Sequence, residues 1–120
     1  ALNWQDRSNK TANMLGFVTP YASSEAREDF AETIARYITM TDKEWNTVLA
    51  NAAASTETAF DAQANILTKL DIARNWFRDS WGMDLEALRD EVQKRQNELT
   101  EQTMAKLRAQ VYDIPVPAAK

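Results

Sequence analysis

The sequence predicts an all-α fold: about four helices packed as an irregular bundle, behind an irregular N-terminal segment and ahead of an extended C-terminal tail. Three observations carry this. Between Ala22 and Ile114 there is one glycine, Gly82, and no proline, so helix breakers are almost missing from a long stretch. Apolar residues along that stretch return at three- and four-residue steps. Strong helix-start signals stand at Thr41 and Asp84. At 120 residues, 44% apolar and 27% charged, the chain suits one domain with a single modest core.

Residues 1–22 read as an irregular or short extended lead-in. Asn3, Asp6, Ser8, Asn9 and Asn13 favour turns, and Pro20 biases Thr19 away from the α region. The helical domain is expected over residues 23–112. Its first helix should run over about residues 24–38, with Ser23 or Ser24 as N-cap. Phe30, Ala31, Ile34, Ala35 and Ile38 then share one face, and Glu25, Glu28 and Asp29 suit the positive end of the helix dipole.

The second helix opens on a capping box, Thr41 with Glu44, and a hydrophobic staple, Met40 with Trp45. Trp45, Val48, Leu49 and Ala52 form its apolar stripe, and it should end near Ala53 or Ala54. The third helix is expected from just after Ser55 or Thr56 to about Ser80, with Phe60, Ala64, Leu67, Leu70, Ala73, Trp76 and Phe77 inward. Gly82 suits the left-handed residue that ends it. Asp84 caps the fourth helix, whose seam is Leu85, Leu88, Val92, Leu99 and Leu107. Its dense charges, Arg89 among them, read as a solvated face, and its thin seam can also dock a partner. Trp45, Trp76, Phe77 and Trp81 read as core. Residues 113–120 read as a flexible, extended tail.

Net charge is −4 with both signs interspersed, and no Lys/Arg stripe with interleaved aromatics appears, so no nucleic-acid partner is expected. No apolar run approaches membrane-spanning length. The chain has no cysteine and no histidine. A Ser-His-Asp triad, a Cys-His dyad and a complete three-ligand catalytic zinc site are therefore impossible from this chain alone.

The informative stretch runs from Gly16 to Ile38. On a helical wheel at roughly 100° per residue the apolar face of the first helix covers an arc of roughly 140°. Glu28 borders that arc next to Ala35, and Glu32 lies slightly further out. A carboxylate at the edge of an apolar face can reach into a partly dry cleft, the setting a metal ligand or a general base needs. The bland alternatives stay open at this point. Glu28, Asp29 and Glu32 can be dipole-stabilised acids at a helix N-terminus, and Tyr21 a packing tyrosine at a turn.

The run Glu28-Asp29-Phe30-Ala31-Glu32 resembles the Glu-x-Phe-Ala motif of gluzincin metallopeptidases. In those proteins two histidines of a His-Glu-x-x-His helix bind zinc and a glutamate on a later helix is the third ligand. A tyrosine seven residues before that glutamate faces the substrate carbonyl, as Tyr21 precedes Glu28 here. The sequence is more similar still to the zinc-binding metallopeptidases of Bacteroidetes known as substrate import-associated zinc metallohydrolase lipoproteins. Gly16-Phe17-Val18-Thr19-Pro20-Tyr21-Ala22, the Glu28 run, Tyr37-Ile38, Trp81-Gly82-Met83-Asp84-Leu85 and Leu88-Arg89 carry the likeness, which extends from about Asn13 to Arg95.

The resemblance implies roles. Glu28 is the third zinc ligand, Tyr21 a hydrogen-bond donor to the developing oxyanion, and Asp29 or Glu32 an outer group orienting a histidine ligand. The zinc itself needs two histidines from outside this chain, which is expected to be the C-terminal piece of a longer protein and inactive alone. The implied partners are the His-Glu-x-x-His-bearing N-terminal half, a peptide-like substrate and a TonB-dependent transporter complex. The implied location is the outer membrane, as a lipoprotein, or the periplasm. By itself the exposed face of the first helix is expected to drive self-association. The rival reading is a non-catalytic helical interaction or scaffold module of a nutrient-uptake complex.

Overall fold

A computed structural model describes residues 3–112. Five α-helices follow one another: α1 (Asn9–Met14), α2 (Ala26–Thr39), α3 (Asp42–Ala53), α4 (Ala62–Trp81) and α5 (Leu85–Tyr112), with short 3-10 turns at Trp4–Asp6 and Tyr21–Ser23. No strand occurs among the described residues. The all-α class holds, and α2 to α5 are the four expected helices. The tail expected over 113–120 lies outside the described residues.

Within the irregular lead-in, α1 forms because Ser8 Oγ accepts the Thr11 N–H at 3.1 Å. Gly16, at φ 92°, ends it: the Gly16 N–H reaches Asn13 O at 3.0 Å and the Phe17 N–H reaches Ala12 O at 2.9 Å. Asn13 is a buried tie rather than a turn residue. Its amide nitrogen donates to Phe17 O at 2.8 Å and Val18 O at 3.1 Å, and its oxygen accepts from Asn51 Nδ2 of α3 at 3.0 Å.

The N-cap of α2 corrects the sequence reading. Glu25, in extended conformation, occupies it without a side-chain bond. Ser23 is consumed by the preceding 3-10 turn, donating to Pro20 O at 2.6 Å, and the buried Ser24 Oγ has no partner. The inward face of α2 is also turned, by about a quarter revolution at roughly 100° per residue. Thr33 and Tyr37 are buried, Phe30, Ile34 and Ile38 are half-buried, and Ala31 and Ala35 are exposed. Polar residues can face inward here because each is satisfied. Thr33 Oγ1 donates to Asp29 O at 2.8 Å, and Tyr37 Oη donates to Glu86 Oε2 at 2.5 Å.

α3 matches the expectation, with both halves of its capping box formed and Trp45, Val48 and Ala52 buried. α4 starts later than expected, at Ala62, because Asp61 Oδ1 accepts the Ala64 N–H at 3.0 Å. Its buried stripe is Ala62, Ile66, Leu70 and Ala73. Ala64 and Leu67 face outward, and so do Trp76 (44% exposed) and Trp81 (65%), which the sequence placed in the core. Gly82 does end α4 at φ 62°, its N–H on Arg78 O at 3.0 Å.

Asp84 caps α5 through the Glu86 N–H at 2.9 Å, and Leu85 is fully buried. Two side chains of α5, one of them the Arg89 expected on a solvated face, finish α2. Arg89 donates to Tyr37 O at 2.7 Å and Met40 O at 3.1 Å, and its guanidinium pairs with Asp42 at 2.9 Å. Gln93 donates to Ile38 O at 2.8 Å and Met40 O at 2.9 Å. These satisfy the carbonyls that a helix C-terminus leaves open. The distal half of α5 projects from the body, with Leu99, Met104 and Leu107 at 65%, 53% and 48% exposure. The core lies between Val18, Ala22, Tyr37, Trp45, Val48, Ala52, Ile66, Leu70 and Leu85.

Candidate functional site

The residues singled out from the sequence lie at the junction of the 3-10 turn and α2. Thr19 builds that junction. Its hydroxyl oxygen accepts the Ala22 N–H at 3.1 Å, and the hydroxyl donates to Glu32 Oε2 at 2.8 Å. Pro20 fixes its own φ, so the chain closes one 3-10 turn and presents Tyr21 outward, its ring edge-on to Trp4 at 5.1 Å.

α2 then starts and sets Glu28 in its first turn, beside Tyr21. The Glu28 carboxylate raises the Tyr21 pKa above its ordinary 10.0. Its charge is the largest cause, followed by loss of hydration, with the charges of Glu25 and Glu32 adding to it. The phenol therefore keeps its proton, and its capacity to donate, throughout the neutral range. The Glu28 side chain is 25% exposed, and its one ion pair among the described residues is a long contact to Arg27 at 4.0 Å.

Asp29 and Glu32 share the start of α2 with Glu28. Both brace the turn that precedes it. Asp29 accepts from Lys69 Nζ of α4 at 2.7 Å. The same ammonium donates to Gly16 O at 2.8 Å and sits 4.6 Å above the Phe17 ring. Glu32 Oε2 accepts from the Thr19 hydroxyl and also meets Arg36 Nε at 3.4 Å. The second carboxylate oxygen of Asp29 is buried with no partner among the described residues. Such an orphaned acceptor suits an N–H brought from elsewhere.

Thr19 and Lys69 escaped the sequence reading. A threonine before a proline-initiated turn is a usable local signal for Thr19. Nothing local marks Lys69, which reaches Gly16 across 53 positions. On the other side of Tyr21 opens a cleft of about 520 Å³ between the lead-in, α2 and α3, lined by Trp4, Arg7, Tyr21, Glu32 and Val48 among others.

Among the described residues no group of three or more His, Cys, Asp or Glu side chains is arranged to hold a metal ion. The chain offers one half-buried carboxylate, a phenol beside it and an orphaned carboxylate oxygen. That donor set fits one side of a zinc site and requires nitrogen ligands from elsewhere. No helix among the described residues is long and apolar enough to cross a membrane.

Residues 1–86 match the model of the family described as "Putative zinc-binding metallo-peptidase". A crystal structure of a protein of that same description, from Bacteroides caccae, is similar to this one with a TM-score of 0.72 at 36% sequence identity. The match covers 82% of this chain and 35% of the Bacteroides chain, so the present chain spans about a third of that protein's length. No curated protein matches.

Proposed function

Because the chain belongs to this zinc-binding metallo-peptidase family, we propose that it supplies the glutamate and tyrosine side of a zinc-dependent peptidase site. The observation that supports the reading is the placing of Glu28, half-buried, at the start of α2 close to Tyr21, which lines the neighbouring cleft, on a turn braced by Thr19, Glu32, Asp29 and Lys69. In this reading Glu28 is a carboxylate ligand, and two histidines come from a His-Glu-x-x-His helix outside these residues. Bound zinc would bring the pKa of a coordinated water to ~7 and polarise a scissile carbonyl.

The chain's own groups do the rest. The protonated Tyr21 phenol donates a hydrogen bond to the oxygen that gains charge as the amide is attacked. The free oxygen of Asp29 accepts the outward N–H of an incoming histidine and fixes its orientation. Without histidine the chain binds no catalytic zinc alone and is inactive by itself.

The test is made in the full-length protein that contains this chain. Glu28→Gln should lower bound zinc to a small fraction of one equivalent. Tyr21→Phe should keep the zinc and cut peptide hydrolysis by ~10²-fold or more. Undiminished zinc content and rate in Glu28→Gln would refute the assignment. A second reading, a helical interaction module, draws on the outward Trp76 and Trp81, which meet at 6.2 Å. It gains ground if zinc and rate survive Glu28→Gln while Trp81→Ser abolishes self-association.

A further inference from the structure

The cleft beside Tyr21 carries one positive charge that the protein does not use. Four charged side chains line it: Arg7, Glu32, Arg36 and Glu44. Glu44 is committed to the α3 capping box, accepting the Thr41 N–H at 2.9 Å. Glu32 is committed to Thr19, and Arg36 to Glu32. Arg7 is different. One of its terminal nitrogens donates to the neutral Ser23 hydroxyl at 2.6 Å, and it forms no ion pair among the described residues. The Ser23 bond fixes the guanidinium in place, and most of its five N–H donors remain available.

The neighbours of Arg7 in the cleft are Trp4 and Tyr21, packed edge-on at 5.1 Å, with the buried Val18 and Val48 alongside. An aromatic and aliphatic wall holds the body of a small ligand, and a preorganised guanidinium fork selects a carboxylate by paired N–H bonds. A cleft of about 520 Å³ has room for a two- or three-residue peptide segment.

We propose that this cleft is a substrate subsite that takes a peptide segment bearing a free carboxylate, with Arg7 as its specificity-determining residue. As a statement about substrate it rests on the peptidase reading, since Tyr21 is the wall shared by the cleft and the Glu28 pair. As a statement about binding it needs neither zinc nor the missing histidines. The carboxylate can come from a chain end or from an acidic side chain.

The test uses the 120-residue chain without metal. Three probes are titrated: N-acetyl-Phe-Ala with a free C-terminal carboxylate, its C-terminal amide, and N-acetyl-Phe-Glu with the chain end amidated. The readouts are the Arg7 Nε–H and Trp4 indole N–H resonances. Binding of either carboxylate probe about tenfold or more tightly than the neutral amide supports the subsite, and the stronger of the two names the source of the carboxylate. Arg7→Gln should abolish that preference, while Arg7→Lys keeps only part of it. Equal response to all three probes, no response at Trp4 and Arg7, or a preference that survives Arg7→Gln would overturn the proposal. Should Arg7→Gln disturb the fold, the three probes on the unaltered chain decide alone. Failure here leaves the zinc test of Glu28→Gln untouched, so the two readings fall separately.

Discussion

Removing the Lys69 ammonium should cost far more than the pair it makes is worth. Lys69 and Asp29 are 25% and 16% exposed, so both charges are mostly out of water. Complete burial of an ion pair gives little net stability, because desolvation offsets the attraction, but deleting one partner strands the other at a cost of ~3–5 kcal/mol. The residual exposure reduces that figure. The lost bond to Gly16 O and the lost contact with Phe17 add to it, at ~1.5–3 and ~0.5–1 kcal/mol. We expect Lys69→Met to destabilise the chain by about 3 kcal/mol, a large share of the ~5–15 kcal/mol typical of a whole domain. The assay is urea unfolding followed by tryptophan fluorescence. Asp29→Asn in the Lys69→Met background removes the stranded charge and should return at least ~1 kcal/mol, so the double-mutant cycle is non-additive. A loss below ~1 kcal/mol for Lys69→Met, or strict additivity, would refute the claim that this lysine pins the Gly16–Phe17 turn to α2 and α4.

Two further outcomes follow from charges near the site and core. Glu28→Gln should lower the Tyr21 pKa toward its ordinary value, since the Glu28 charge is the largest cause of its elevation; a spectrophotometric tyrosinate titration against the unaltered chain would show it. Burial opposes the charge on Glu86, but hydrogen bonds from Tyr37 and Arg74 and attraction to Arg74 and Arg89 outweigh it and hold the carboxyl below its ordinary 4.5. A lowered folded pKa stabilises the chain above the unfolded value, and that stability drains away as pH falls from about 4.5 through the folded pKa. Glu86→Gln should therefore flatten the acid limb of a stability-against-pH curve, and an unchanged limb would count against the network.

Features set by near neighbours in the chain were legible. The Thr41–Glu44 capping box, the left-handed Gly82 and the Asp84 cap each depend on a few adjacent residues, and all three formed. The family likeness was legible for the same reason, as it rests on short contiguous runs, and the family match bears it out. Tyr21 and Glu28 fall within one turn and the start of one helix, near enough that the Glu28 charge is the largest cause of the raised Tyr21 pKa. What failed depended on distant partners. The face of α2 was misjudged because Thr33 and Tyr37 count as outward by polarity, yet Tyr37 finds Glu86 from 49 positions away. Arg89 read as solvated because its acceptors, the last carbonyls of α2, lie about 50 positions upstream. Trp76 and Trp81 read as core because periodicity alone gives no sign of which stripe of α4 meets the other helices.

The projecting half of α5 sets how the chain as a whole must melt. Helix α5 is about 42 Å long at 1.5 Å per residue, and Gln93 is its last hydrogen-bonded tie to another element among the described residues. Past that point its bonds are local, such as Arg95 to Glu91 at 2.8 Å and Thr103 to Leu99 O at 2.8 Å. A helical arm with no tertiary packing follows helix–coil statistics and loses its turns gradually from the free end. The packed body, by contrast, opens as one cooperative unit. Far-UV ellipticity will thus start to decline on warming while Trp45 is still sealed in the core, and amide exchange will run fast along the arm and stop abruptly near Gln93.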